Sequence, residues 1–328
     1  MKNGFYQIPL SDESRKYTAF TTEFGLFQFK VLPFGISNGP AEFSRLMRGL
    51  FPDDPNIFTF LDDILVATET LSEHIKCLEH VFETLKSANL KVNIKKSYFC
   101  AEEIDFLGQT LSENFISPQS EKIQAILDFP LPQSKKKLQS FLGLCNYYRN
   151  YVSNYADLTC QLYNMVKKKS PNKLVWNENL MKCFDDLKLA LSSDIKLYHV
   201  NPSLPFIVQT DASSYAIGAI LGQRVEPDGP VLPIQCISKK LNETQMRYST
   251  IEREAFCIIW AIEKFSFYLL GQHFVIETDH QPLTYINKYS KSKDKLRRWE
   301  LILSNYDYEI NYIPGKKNVM SDCLSRFV

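Results

Sequence analysis

The apolar positions follow two periods, and the changes between them mark the elements. Thr18-Ala19-Phe20 and Leu26-Phe27-Gln28-Phe29-Lys30-Val31 read as strands around a turn at Phe24-Gly25, and Leu32-Pro33-Phe34-Gly35 ends the second. From Ala41 to Leu50 the spacing of Phe43, Leu46, Met47 and Leu50 is helical. From Ser72 to Ala88 one stripe carries Ile75, Leu78, Val81, Phe82 and Leu85. Leu90–Ile94, Tyr98–Cys100 and Asp105–Leu111 read as short strands. Helices follow over Glu121–Phe129, Ser134–Tyr151 and Trp176–Ser192, with Lys167–Asn172 as a polar linker. Beyond Pro202 and Pro205, strands are expected at Phe206–Asp211, Ala216–Gly222, Val231–Ser238, Phe274–Thr278 and Tyr306–Tyr312. Helices are expected at Glu252–Leu270, Lys293–Leu303 and Val319–Arg326.

Against this pattern two sets of acids stand out. Asp62-Asp63 sits inside the apolar run Phe60–Val66, where adjacent carboxylates are costly to bury. A hairpin turn at Asp-Asp relieves that cost, and so does a bound cation. Asp53-Asp54 between prolines and Asp185-Asp186 in a polar helical segment lack such flanks. In the second half, two strands end in Asp211 and Asp279, which puts both acids at the carboxyl edge of a sheet, where sites are built in α/β folds. Glu254 from the long helix and Asp322 from the last one bring the set to four. Taken singly, each acid also reads as a cap, a turn or a surface residue.

Composition narrows the class without naming it. The 328 residues, 45% hydrophobic and 23% charged, suit a soluble globular chain of about two or three domains. Eight scattered cysteines without a C-x-x-C pair argue against zinc ribbons and disulfide frameworks and for a reducing, intracellular setting, cytoplasm or nucleus. No apolar signal core opens the chain, and no apolar run is long enough to span a membrane. Net charge is +1, yet residues 119–173 hold nine basic and three acidic side chains, a local +6 that leaves −5 for the rest. Such a belt fits a polyanion partner or a solvated helix face.

Four motifs in order carry a resemblance: Phe5-Tyr6-Gln7-Ile8, Leu32–Pro40, Phe60-Leu61-Asp62-Asp63 and Phe106-Leu107-Gly108. Together they resemble the palm of a reverse transcriptase of gypsy-type long-terminal-repeat retrotransposons. Phe141-Leu142-Gly143-Leu144 and Asn146-Tyr147-Tyr148-Arg149 resemble its thumb. Thr210-Asp211-Ala212-Ser213, Glu252-Arg253-Glu254-Ala255, Glu277-Thr278-Asp279-His280 and Pro314–Asn318 before Asp322 resemble the ribonuclease H domain of the same polyproteins.

The resemblance implies a multidomain α+β and α/β fold. It comprises a partial right-hand palm (1–111), a helical thumb (112–170), a connecting segment (171–204) and a ribonuclease H-like mixed sheet with helices (205–328). It implies two Mg²⁺ or Mn²⁺ ions per active site, with Asp62 a ligand and Asp63 beside it in the palm. Asp211, Glu254, Asp279 and Asp322 are the nuclease ligands, with Glu252 a rival for the second place. Phe5 is placed under the incoming sugar, Phe34 and Gly35 along nucleotide and template, and Phe106, Leu107 and Gly108 at the primer end. Tyr248 and Arg297-Arg298-Trp299 are placed against a hybrid or in the packing.

The partners implied are an RNA–DNA hybrid, a template–primer duplex and, where the polymerase site is complete, deoxynucleoside triphosphates, with no membrane; the number of subunits stays open. The family's third polymerase Asp and the fingers would fall upstream of Met1, so the resemblance implies an N-terminally truncated chain with an incomplete polymerase site. The expected activity is that of an RNA-directed DNA polymerase with ribonuclease H; the alternative is a non-catalytic nucleic-acid-binding remnant. A start codon misplaced at Met1 is the third possibility.

Overall fold

The computed structural model describes residues 1, 3–52, 54–152, 154–168, 170–193, 196–227, 229–281 and 294–313. The chain divides into two compact units, Met1–Ala101 and Glu102–Val328, each taken by itself below.

The first unit holds a short helix α1 (Asp12–Arg15), the hairpin β1 (Phe20–Thr22) and β2 (Gly25–Phe27), helix α2 (Gly39–Leu50), the hairpin β3 (Ile57–Phe60) and β4 (Asp63–Val66), and helix α3 (Leu71–Ser87). Thr70 caps α3 by accepting from the Glu73 N–H at 3.3 Å. Helices α2 and α3 share a core with the β3–β4 hairpin, burying Phe43, Met47, Ile57, Val81 and Leu85, while Ile75 and Phe82 of the expected α3 stripe stay exposed. The expected strand at Leu90–Ile94 is absent. Leu90 instead closes the end of α3 by donating to the Leu85 carbonyl at 2.8 Å, after Asn89 turns left-handed at φ 55°. The Gln7 amide then pairs with both backbone groups of Lys91, at 2.6 and 3.1 Å, as a neighbouring strand would. Tyr98–Cys100 forms no strand either.

In the second unit β5 (Glu103–Phe106), β6 (Gln109–Ser112), β7 (Phe115–Pro118) and β8 (Leu197–Tyr198) form an antiparallel sheet in that order. The single strand expected over Asp105–Leu111 is thus two strands, because Leu107 (φ 51°) and Gly108 (φ 77°) make the tip of a hairpin. Helices α4 (Ser120–Leu127), α5 (Lys135–Tyr147), α6 (Tyr155–Met165) and α7 (Glu178–Ser192) enclose a core around Leu138, Phe141, Leu142, Leu162, Phe184 and Leu187. Lys188 caps the open end of α4 by donating to the Leu127 and Phe129 carbonyls at 2.8 and 2.6 Å. Helix α6 was not expected from the sequence.

The remaining strands are β9 (Phe206–Ala212), β10 (Ala216–Gln223), β11 (Leu232–Lys240), β12 (His273–Thr278) and β13 (Asp307–Tyr312), in sheet order β11-β10-β9-β12-β13. The first three run antiparallel in sequence, while β12 lies parallel to both β9 and β13. The sheet is therefore mixed. Short helix α8 (Glu243–Met246) leads to α9 (Thr250–Lys264), followed by α10 (Ser266–Leu269) and α11 (Asp294–Leu303). One face of the sheet packs on α9 through Val208, Ile217, Leu221, Ile258, Ile262, Phe274 and Ile276. Helix α6 packs against β10 and β11. No described helix is long and apolar enough to cross a membrane.

Candidate active site

Parallel pairing of β9 with β12 sets the main cluster. The register pairs Val208 with Ile276 and Gln209 with Glu277, so two residues further on Asp211 and Asp279 stand side by side at the carboxyl ends of neighbouring strands. Asp279 is exposed and Asp211 half-buried. Glu254 reaches the same edge from the first turns of α9 and is only 5% exposed. Its carboxylate accepts from the Ala212 N–H, while its Oε2 is buried with no hydrogen-bond partner among the described residues. Burial, then the Asp211 and Asp279 carboxylates, push the Glu254 carboxyl up to about 9, against the pull of Arg253 and the Ala212 N–H.

Glu252 stands elsewhere. It completes a capping box with Ser249, its Oε2 accepting from the Ser249 N–H and hydroxyl at 2.9 Å each. The Cys257 thiol, one turn beyond Glu254, donates to the Asp211 and Gly218 carbonyls at 3.3 and 3.2 Å, tying the helix to the strand end. Asp322 and the Pro314–Asn318 loop lie outside the described residues. Among the described residues no group of three or more His, Cys, Asp or Glu stands close enough to hold a metal ion. The oxygen-only acids and the unpartnered Glu254 oxygen nevertheless fit the donor chemistry of a hard divalent ion. Trp299 packs with Phe256 and Tyr248, at ring separations of 6.0 and 6.3 Å, while Arg297 and Arg298 are exposed.

Behind the acids lies a network that sequence reasoning missed. Glu277, 4% exposed, pairs with Arg224 at 3.0 Å and accepts from Gln209 Nε2 at 2.9 Å. The signal was present in the repeated order polar-Thr-Asp: Gln209-Thr210-Asp211 and Glu277-Thr278-Asp279. A polar residue two places before each strand-end Asp lies inside an apolar strand and needs a partner.

In the first unit, the tip of the β3–β4 hairpin is Leu61-Asp62, and Asp63 opens β4 opposite Phe60. Leu61 is left-handed at φ 48°, a conformation that costs a leucine about 1 kcal/mol and marks a position held by its surroundings. Gly4 is why the hairpin can approach the preceding segment. A Cβ there would stand 3.1 Å from Asp62 Cβ and 3.1 Å from the Phe43 ring. The next residue, Phe5, bridges buried Phe43 and exposed Phe34, with ring centroids 5.3 Å away in each case. Gly35 is left-handed at φ 94° in open space, so its requirement is conformational. Tyr6 and Phe34 also line an open groove with Tyr17, Phe20 and Phe29.

In the second unit, Phe106, Leu107 and Gly108 form the β5–β6 tip. The tip is held by the end of α5, where Tyr147 donates to the Leu107 carbonyl and Tyr148 to that of Gly108 at 2.8 Å. Two motifs quoted separately above thus meet in one place.

A mixed sheet of this order, with acids at the carboxyl ends of its central parallel pair and on the first turns of α9, defines a ribonuclease H-like nuclease fold. Comparison with known proteins places the whole chain. The family of reverse transcriptases (RNA-dependent DNA polymerases) matches residues 1–111, and the RNase H-like domain found in reverse transcriptase matches residues 201–306. The Pol polyprotein of transposon 297 from Drosophila melanogaster is 37% identical over 331 residues, covering 99% of this chain and 30% of that protein. The Pol polyprotein of transposon gypsy from the same organism is 32% identical over 341 residues, covering 99% of this chain and 32% of that protein. The foamy viral protease-reverse transcriptase solved with double-stranded DNA has a TM-score of 0.81 at 27% identity, over 95% of this chain and 55% of that one. The same viral enzyme solved with an RNA/DNA hybrid gives 0.72 at 28%, over 95% and 43%.

The chain belongs to the reverse transcriptase–ribonuclease H region of gypsy-type retrotransposon Pol polyproteins. It spans about a third of the length of these curated relatives.

Proposed function

We propose that the second unit hydrolyses the RNA strand of an RNA–DNA hybrid, with Asp211, Glu254, Asp279 and Asp322 as ligands of two Mg²⁺ or Mn²⁺ ions. The observation that carries this reading is Glu254, a buried carboxylate with an unpartnered oxygen beside two further acids. Such a group either holds a proton or meets a cation. When bound, the ion pair supplies Lewis acidity for activating water and for stabilising the leaving 3′ oxygen. The chain's own contribution is placement. Parallel register sets Asp211 beside Asp279, the Cys257 thiol and the Ala212 N–H hold α9 against that edge, and the Glu277–Arg224 pair stiffens the sheet behind it.

For the first unit we propose a polymerase site. Asp62 at the hairpin tip is a metal ligand, Asp63 stands beside it, and Phe5, Phe34 and Gly35 meet the nucleotide and template. The exposed rings of Tyr6 and Phe34 suit stacking on bases. The Phe106–Gly108 tip, in the other unit, is assigned to the primer end. Nucleic-acid duplexes and hybrids are the partners proposed, as in the solved viral relatives. Deoxynucleoside triphosphates are the substrates proposed for DNA synthesis at this site.

The test is cleavage of a hybrid with a labelled RNA strand by the purified chain in Mg²⁺ or Mn²⁺. Wild type cleaves, and Asp279→Asn lowers the rate at least about 100-fold through loss of a ligand. Hybrid binding by the wild type without cleavage would instead favour the non-catalytic remnant.

A further inference from the structure

Between α6 and the β9–β10 edge runs a narrow cleft with room for about 20 Å³, the space of a single water-sized occupant. Its polar lining is made of oxygen acceptors. Gln209 is 5% exposed, and its orientation is settled by Glu277, which accepts from its Nε2 at 2.9 Å. Its Oε1 therefore points away from that pair and has no hydrogen-bond partner among the described residues. Asn154 stands at the N-terminal cap of α6, where an Asn oxygen ordinarily accepts from the first turn. Here it makes no capping bond, and its Oδ1 is buried and unpartnered among the described residues. Asp157, on the first turn of α6, takes only the Ser213 hydroxyl at 3.3 Å. No Lys, Arg or His is among the residues lining the cleft.

Two unpartnered amide oxygens and the Asp157 and Asp211 carboxylates meet in a cleft that no cationic side chain lines, which suits a positive occupant. The cleft is too small for a hydrated Mg²⁺, which keeps several of its waters. We propose that this cleft is a binding site for one hard monovalent cation, Na⁺ or K⁺, held by Asn154 Oδ1, the Asp157 carboxylate and Gln209 Oε1. The ion ties α6 to the sheet beside the turn that follows Asp211. Asp211 also lines the cleft, so the site adjoins the acids proposed for the nuclease, and melting in EDTA keeps a monovalent ion distinct from the divalent ones.

The test is thermal unfolding of the full chain in EDTA at constant ionic strength, in NaCl, KCl or choline chloride. Wild type is expected to gain on the order of 2 °C in Na⁺ or K⁺ over choline near saturation. Asp157→Asn loses that gain and Asn154→Ala diminishes it, so the proposal stays testable if one variant fails to fold. Asp279→Asn keeps the gain. Equal melting in all three salts, a gain untouched by both cleft variants, or a gain lost in Asp279→Asn would each overturn the proposal.

Discussion

Without divalent ions, Glu254 should make the second unit less stable as pH rises. The carboxyl moves from an ordinary 4.5 in the unfolded chain to about 9 in the folded one. Between those values the folded chain holds a proton that the unfolded chain has released, so stability is lost as pH increases. The slope approaches 1.4 kcal/mol per pH unit, so from about pH 6 to about pH 8 the loss is about 3 kcal/mol. Burial also raises the Asp157 carboxyl, with the same sign, but that contribution is common to wild type and Glu254→Gln, and the difference between the two chains isolates Glu254. The assay is urea unfolding in EDTA at both pH values, followed by tryptophan fluorescence, since Trp260 and Trp299 belong to the nuclease core. Glu254→Gln should be more stable than wild type near pH 8 and converge with it near pH 5. Added Mg²⁺ should recover stability at pH 8 in wild type only, because the ion takes the place of the proton. Identical pH slopes in the two chains would refute the reasoning.

Three further outcomes follow from packing. Gly222→Ala should destabilise the second unit by about 3 kcal/mol, because its Cβ would meet the Leu232 carbonyl oxygen at 2.6 Å and Val231 at 2.4 Å; chemical denaturation checks it. Arg224→Met should cost about 3 kcal/mol by stranding Glu277, 6% exposed at its side chain, and Arg224→Met with Glu277→Met should recover most of it in a double-mutant cycle. Gly4→Ala should cost the first unit about 1–3 kcal/mol, since both neighbours of the new methyl, Phe43 and Asp62, are held in place; hydrogen exchange at β3 and β4 should rise with it.

Long periodic segments were legible in the sequence because burial on one face determined them. Helices α2, α3 and α7 and strands β9, β10 and β12 lie within a few residues of expectation, while the one long helix expected over Glu252–Leu270 is α9 and α10 in succession. Elements whose partner is remote or is a side chain were not legible. Leu90–Ile94 has strand-like residues, but the backbone of Lys91 pairs with the Gln7 amide instead of a strand. Helix α6 carries only Tyr155, Thr159 and Leu162 as fully buried positions, and its polar flanks hide that period.

The same division holds for the candidate sites. Asp62, Asp211, Glu254 and Asp279 were visible because acids interrupt apolar patterns. Turn geometry nonetheless moved the hairpin tip by one residue, to Leu61-Asp62, because the Phe60–Asp63 pair closes the ladder. Arg224 is 53 residues from Glu277, and no local pattern announces that partnership.

The central claim is that the acids around Glu254 form an RNA-cleaving centre. The most direct measurement compares cleavage of an RNA–DNA hybrid, an RNA duplex and a DNA duplex of one sequence by the full chain in Mg²⁺. The account predicts cleavage of the RNA strand of the hybrid alone, absent in EDTA and lost in Glu254→Gln. Equal cleavage by Glu254→Gln, or a wild-type chain that binds the hybrid in Mg²⁺ and leaves its RNA intact, would contradict it.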